Sequence, residues 1–314
     1  MEREGGSLRK RKDYVEKKLE SYEDVFADII NAFVFQGKGV ITPDSLTDAT
    51  TVSMYKADGK LHEQERDVAK YWNAETGEQI RVRIAYFGIE NQTAYDRDMP
   101  LRVIGYDGAT YRAETLKDGK DRYPVITLVL YFGEKRWQEN RCLYDVLRFP
   151  EALVPFVSDY RINICEIAYL TEEEVQRFHS DFRIVADYFS KRRTDPDYRP
   201  TDTTAFKHVD EVLKLFTAVT GDSRFADELM DKRGKPKNMC EVLDRAEERG
   251  RKIGEEIGER RGEKRGEKRG ERRGIRKGKI QLLRKWVRSD RISIESAAEE
   301  IGMTVDAFRK EAKL

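Results

Sequence analysis

The chain has 314 residues, 39% hydrophobic and 38% charged, against about 25% charged in an ordinary globular domain. No apolar run approaches the roughly 20 residues that a membrane-crossing helix needs, and the charged opening MEREGGSLRKRKDY is not expected to act as a secretory signal. Three widely spaced cysteines (Cys142, Cys165, Cys240) and only three histidines fit a reducing, cytoplasmic setting, with no disulfide framework or structural zinc site expected.

The net charge of +1 is unevenly spread. Residues 247–279 carry 14 Lys and Arg against 8 Asp and Glu, whereas residues 1–246 carry 39 against 45. An acidic body is not by itself a nucleic-acid surface, so contact with DNA has to come from a local site or from the late basic segment.

After a flexible basic lead (1–12), residues 13–36 predict a helix, because Leu19, Tyr22, Phe26, Ile29, Ile30 and Phe33 recur at spacings of three and four. The stretch from Gly37 to His62 reads mostly as loop. Two strand-like runs follow, at 66–72 and 78–92, joined by a hairpin ending in Gly77. Residues 99–116 predict a helix despite internal glycines. The β-branched run 123–133 predicts a strand covered on both faces. Another strand is expected over 159–169 and one long amphipathic helix over 171–193, opened by a capping box of Thr171 and Glu174. This order implies a mixed α/β layer structure over 13–195, followed by a helical extension over 196–249.

From Gly250 to Gly278, glycine recurs every fourth residue eight times, with Glu, Lys and Arg between. In a helix these glycines would cost about 8 kcal/mol against alanine, at about 1 kcal/mol each, and like charges stand four apart. A marginal helix or a flexible basic spacer over 250–279 is therefore expected, with DNA contact through its basic excess as the functional alternative. Residues 280–314 regain helical periodicity. Their AEEIG run (Ala298–Gly302) with Ala307 and Phe308 has helix-turn-helix-like spacing, against the plainer readings of a helical cap or a contact in a homo-oligomer.

The chemistry concentrates at the end of the second hairpin strand. Alternate strand residues share a face, so Glu90 and Gln92 project together beyond the apolar Ile80, Val82, Ile84 and Tyr86. Asp67, on the neighbouring predicted strand, offers a second carboxylate. Paired carboxylates suit Mg²⁺, which favours oxygen ligands and can activate water at a phosphodiester. Gln92 could orient that water, and the Asn91 carbonyl could add a ligand. The plainer reading is that both carboxylates face solvent or pair with Arg66 and Arg102.

The strings YEDVFADIINAFVF, ERDVAKYW, GIENQT and MPLRVIGYDGATY, in that order, resemble the recombination-promoting nuclease / putative transposase family of the PD-(D/E)XK nuclease superfamily. The resemblance rests on Phe26–Ala27–Asp28 with Asn31, Arg66–Asp67–Val68, Glu90–Asn91–Gln92, and Met99–Pro100 with Arg102, Tyr106 and Asp107, and it covers roughly 13–190. It implies a mixed central sheet flanked by helices, Mg²⁺-dependent cleavage of DNA, and Asp67 and Glu90 as metal ligands, with Gln92 in the catalytic position that the superfamily often gives to lysine. An amide can be neither base nor cation there. Asp24 and Asp28, candidates for an acid from the first helix, fall opposite the apolar stripe and read as a solvated face. Arg102 and Tyr106, one turn apart, either contact phosphate or pack and pair. His62 is expected in a loop, and His179 and His208 on helices, without catalytic roles. The expected protein is a metal-dependent DNA endonuclease assisting recombination or element mobility, without membrane contact. The alternative is a catalytically silent DNA- or protein-binding scaffold that uses its tail.

Overall fold

The computed structural model describes residues 19–57, 60–75, 81–116, 122–230 and 234–314. The expected lead (1–12), the opening of the first helix and the hairpin turn at Gly77 lie outside them. The chain divides into two compact units, residues 1–246 and 247–314.

The first unit is built on a five-stranded sheet in the order β1-β4-β5-β6-β7. Its strands are β1 (Leu46–Asp48), β4 (Val68–Glu75), β5 (Arg81–Gln92), β6 (Val125–Tyr131) and β7 (Asn163–Glu166), while β2 (Val52–Ala57) and β3 (Lys60–Glu65) form a separate antiparallel pair. β1 and β5 both run antiparallel to β4; β6 runs parallel to β5, and β7 to β6. A parallel neighbour requires a crossover, and helix α2 (Met99–Thr115) supplies it between β5 and β6.

Helices cover both faces of the sheet. On one, Phe26, Ile29 and Ile30 of α1 (Glu23–Val34) meet Ala85, Phe87 and Ile89 of β5 and Leu128 and Leu130 of β6 in the main core. On the other, Met99 and Val103 of α2 pack with Val129 and Tyr131 of β6, and the single turn α3 (Leu143–Val146) follows that strand. Strand β6 is thus buried on both sides, as its uninterrupted apolar run requires.

Several sequence expectations need correction. Residues 37–62, expected as loop, contain β1, β2 and the start of β3, so His62 lies in a strand. The helix expected over 171–193 is two: α4 (Glu172–Val175), which the Thr171–Glu174 capping box does open, and α5 (Phe182–Arg192). His179 lies in the break between them, and His208 is the N-cap of α6 (Val209–Thr220). The strand expected over 159–169 shortens to Asn163–Glu166. Helices α6 and α7 (Ser223–Leu229), with Met239 and Val242, complete the main core.

The glycine repeat lies within one continuous helix, α8 (Met239–Arg288). In the second unit, Ile280 and Leu283 of α8 pack with Ala297 and Ala298 of α9 (Ile294–Glu300) and Phe308 and Ala312 of α10 (Val305–Ala312). Among the described residues no helix is long and apolar enough to cross a membrane.

Candidate functional site

The antiparallel register pairs Val68 with Ile89, so Asp67, one residue before β4, stands opposite Glu90. Directly opposed residues share a face of an antiparallel pair. The two carboxylates are therefore brought together on the α2 side of the sheet. Asp67 Oδ2 accepts the backbone N–H of Asn91 at 2.7 Å, which locks the start of β4 to the end of β5.

Glu90 is 2% exposed. Its Oε1 accepts from Arg102 and, at 3.4 Å, from Gln92 Nε2, whereas its Oε2 is buried without a hydrogen-bond partner. Burial pushes the Glu90 carboxyl up, the Asp67 charge pushes it further, and Arg102 and Arg66 pull back less strongly, leaving it at about 8. Of the apolar residues expected to precede Glu90 on this face, Ile80 lies outside the described residues and Ile84 is exposed. Tyr86 alone is deeply buried among those the structure describes in full.

Arg102 projects from α2 and also bonds Asp96 Oδ2 (2.9 Å) and the Tyr106 hydroxyl (3.3 Å). Its partner is thus Glu90, and its side chain stays one-third exposed. The carboxylate of Glu90 lifts its pKa against the opposing effect of burial.

Arg66 pairs with neither carboxylate. Its Nη2 bonds Asp107 Oδ1 at 2.7 Å, and Asp107 also accepts from Thr127 Oγ1 (2.6 Å) and the Tyr160 hydroxyl. The guanidinium lies 4.9 Å from the Tyr86 ring centroid and 5.4 Å from that of Tyr106. It fits because residue 88 is glycine. A Cβ there would stand 2.5 Å from Arg66 Cδ. This buried network, with a cation beneath the carboxylates, is not legible from spacing, because Arg66 and Asp107 are 41 residues apart.

The first-helix acids do other work. Asp28, expected on a solvated face, is buried and accepts the backbone N–H groups of His179 (2.9 Å) and Ser180 (2.7 Å), holding the α4–α5 break. Asp24 binds Lys207 Nζ at 2.7 Å and His208 Nε2 at 3.0 Å. The acid that reaches the end of β5 is Glu20, fully buried, whose Oε2 accepts from Asn91 Nδ2 at 2.6 Å. Because Asn91 alternates with Glu90, this contact lies on the opposite face. A turn at Ser21 and Tyr22 separates Glu20 from α1, so the helix expected over 13–36 is interrupted there and helical spacing from Asp24 does not point to Glu20.

Among the described residues no group of three or more His, Cys, Asp or Glu side chains forms a metal cluster. Asp67 and Glu90 offer oxygen donors, the ligand type that a hard cation favours, and one buried Glu90 oxygen lacks a hydrogen-bond partner.

The family described as Putative transposase, YhgA-like matches residues 51–214, just over half of the chain. The chain belongs to this family. The match spans β2 to the middle of α6 and so includes Asp67, Glu90, Gln92 and Arg102. No curated protein and no solved structure matches the chain. Within the YhgA-like family assignment, the mixed five-stranded sheet with helices on both faces is the scaffold that carries the opposed carboxylates.

Proposed function

We propose that this YhgA-like protein is a metal-dependent DNA endonuclease with a PD-(D/E)XK-like core, acting in recombination or in the mobility of genetic elements. The observation that carries the reading is Glu90 Oε2, a buried carboxylate oxygen without a donor, opposite Asp67. A buried acid in that state is costly unless it is protonated or meets a cation. Asp67 and Glu90 would hold Mg²⁺ or another divalent ion, which when bound supplies Lewis acidity and a water of lowered pKa. The transposase description of the family supports nucleic acid as the substrate class.

The remaining roles belong to this chain's own side chains. Gln92, 6% exposed and bonded to Glu90, orients water or a phosphate oxygen without exchanging a proton. Arg102 balances Glu90 while no metal is bound. Being one-third exposed, it turns toward a DNA phosphate when a cation takes that carboxylate. Arg66, held by Asp107, supplies a fixed positive charge below the pair.

One observation favours a second reading. Arg102 already neutralises Glu90, and Gln92 is neither base nor cation, which suits a catalytically silent binding protein. Incubating supercoiled plasmid with the purified protein in Mg²⁺ or in EDTA separates the two. Nicking with Mg²⁺ and none in EDTA supports the nuclease. DNA retained but uncut in both supports the scaffold.

A further inference from the structure

Every residue of α8 from Arg251 to Lys279 is exposed. A glycine-punctuated helix without a packing partner is marginal in water, because most helical stability comes from burying one face. The sequence of this segment nevertheless draws such a face. The large apolar residues that α8 leaves exposed are Ile253, Ile257, Ile275, Leu282 and Trp286. At about 100° per residue they fall within an arc of about 60°. Ile253, Lys264, Ile275 and Trp286 stand eleven residues apart, a spacing that drifts only about 20° per repeat and keeps the stripe nearly straight. It is a different face from the one bearing Ile280 and Leu283, which α9 and α10 cover.

The charges beside the stripe are sorted by side. On the same wheel Arg261, Arg265 and Arg272 border one edge, and Glu256, Glu263 and Glu267 border the other, while Lys268 and Glu271 fall at the two margins of the stripe itself. Arg260 and Lys285, on the acidic edge, depart from the pattern, and Arg260 is paired with Glu256 of its own helix at 2.7 Å. A helix with one basic and one acidic edge is complementary to a parallel copy of itself. A two-fold axis along the pair sets each basic edge against the partner's acidic edge, whereas an antiparallel pair sets like against like. Parallel pairing also places each apolar residue of the stripe against its own counterpart.

We infer that residues 253–286 of α8 are a self-association surface, on which a second copy of this chain docks in parallel and in register. Lys264, Lys268 and Glu271 interrupt the stripe between its two apolar ends. Lys264 sits at its centre, where a charged residue weakens a helix pair and fixes its register. The inference uses none of the residues of the proposed nuclease site, and it stands or falls without them.

The test is the mass of the full-length protein in solution, measured by sedimentation equilibrium. Wild type is expected as two chains per particle at micromolar concentration. Ile257→Glu with Leu282→Glu, both at exposed positions, should weaken association at least about a hundredfold. Glu263→Arg with Glu267→Arg makes both edges basic and should also dissociate the pair, and adding Arg261→Glu with Arg265→Glu should restore it. Lys264→Ile should tighten association at least about tenfold. Ile275→Cys should form an oxidised dimer that wild type does not. A single-chain wild type overturns the inference, as does a pair indifferent to Ile257 and Leu282. Loss of DNA retention in the Ile257/Leu282 variant without any change in mass would assign the stripe to nucleic acid and overturn it as well.

Discussion

Glu90 makes the proposed site sensitive to pH in a calculable way. Its carboxyl sits at about 8, raised by burial and by Asp67, and a metal ligand has to shed its proton before it binds. If one such proton competes, the apparent affinity scales with the ionised fraction of Glu90. That fraction is about 1% two units below the pKa and about half at the pKa, so Mg²⁺ affinity should rise about fiftyfold between about pH 6 and pH 8. The stability sign follows from the same shift. A folded-state pKa above the ordinary 4.5 contributes stability that is complete below about 4.5 and lost as pH rises through about 8. Without divalent ions, wild type should therefore lose stability across that window, and Glu90→Gln should not. Calorimetric titration with Mg²⁺ at three pH values, in buffers of different ionisation enthalpy, reads the affinity and the released proton together. An affinity that changes less than about threefold between about pH 6 and pH 8, with no proton released, would refute the reasoning.

Three further outcomes follow from the buried contacts. Asp107→Ala leaves Arg66 buried without its counter-charge, which should cost about 3–5 kcal/mol. Urea unfolding should show a midpoint lower by about 1–2 M at unchanged slope, and replacing both partners by apolar residues should recover most of the loss. Gly88→Ala drives a Cβ against Arg66 Cδ and should cost about 1–3 kcal/mol, a penalty that Arg66→Met relieves when combined with it. Asp28→Ala removes the acceptor of the His179 and Ser180 N–H groups and should lower stability by about 1–3 kcal/mol, while plasmid nicking per folded molecule stays at the wild-type level.

The elements most legible in the sequence were those with one dominant period. The stripe Phe26, Ile29, Ile30 announced α1, and the run 125–131 announced a strand buried on both faces. Short strands in polar company were not legible. β1 is three residues long with one buried position, so its identity comes from pairing with β4 rather than from pattern. The break between α4 and α5 was also invisible, because it is stabilised from 151 residues away by Asp28, whose spacing from Phe26 argued for solvent. At the site, alternation correctly put Glu90 and Gln92 on one face, and register put Asp67 opposite Glu90. The Arg66–Asp107–Tyr160 network and the Glu20–Asn91 contact join residues far apart in sequence, and only the tertiary fold assembles them. The glycine repeat left a marginal helix and a flexible spacer both open, since helix propensity alone disfavours what is here a continuous helix.

The most direct test of the central claim is plasmid nicking by wild type and by Asp67→Ala, side by side, with and without Mg²⁺. Nicking that requires both the metal and Asp67 is the predicted result. Equal background from the two proteins, with DNA retained only through residues 250–314, would contradict the nuclease and leave a tail-driven binder.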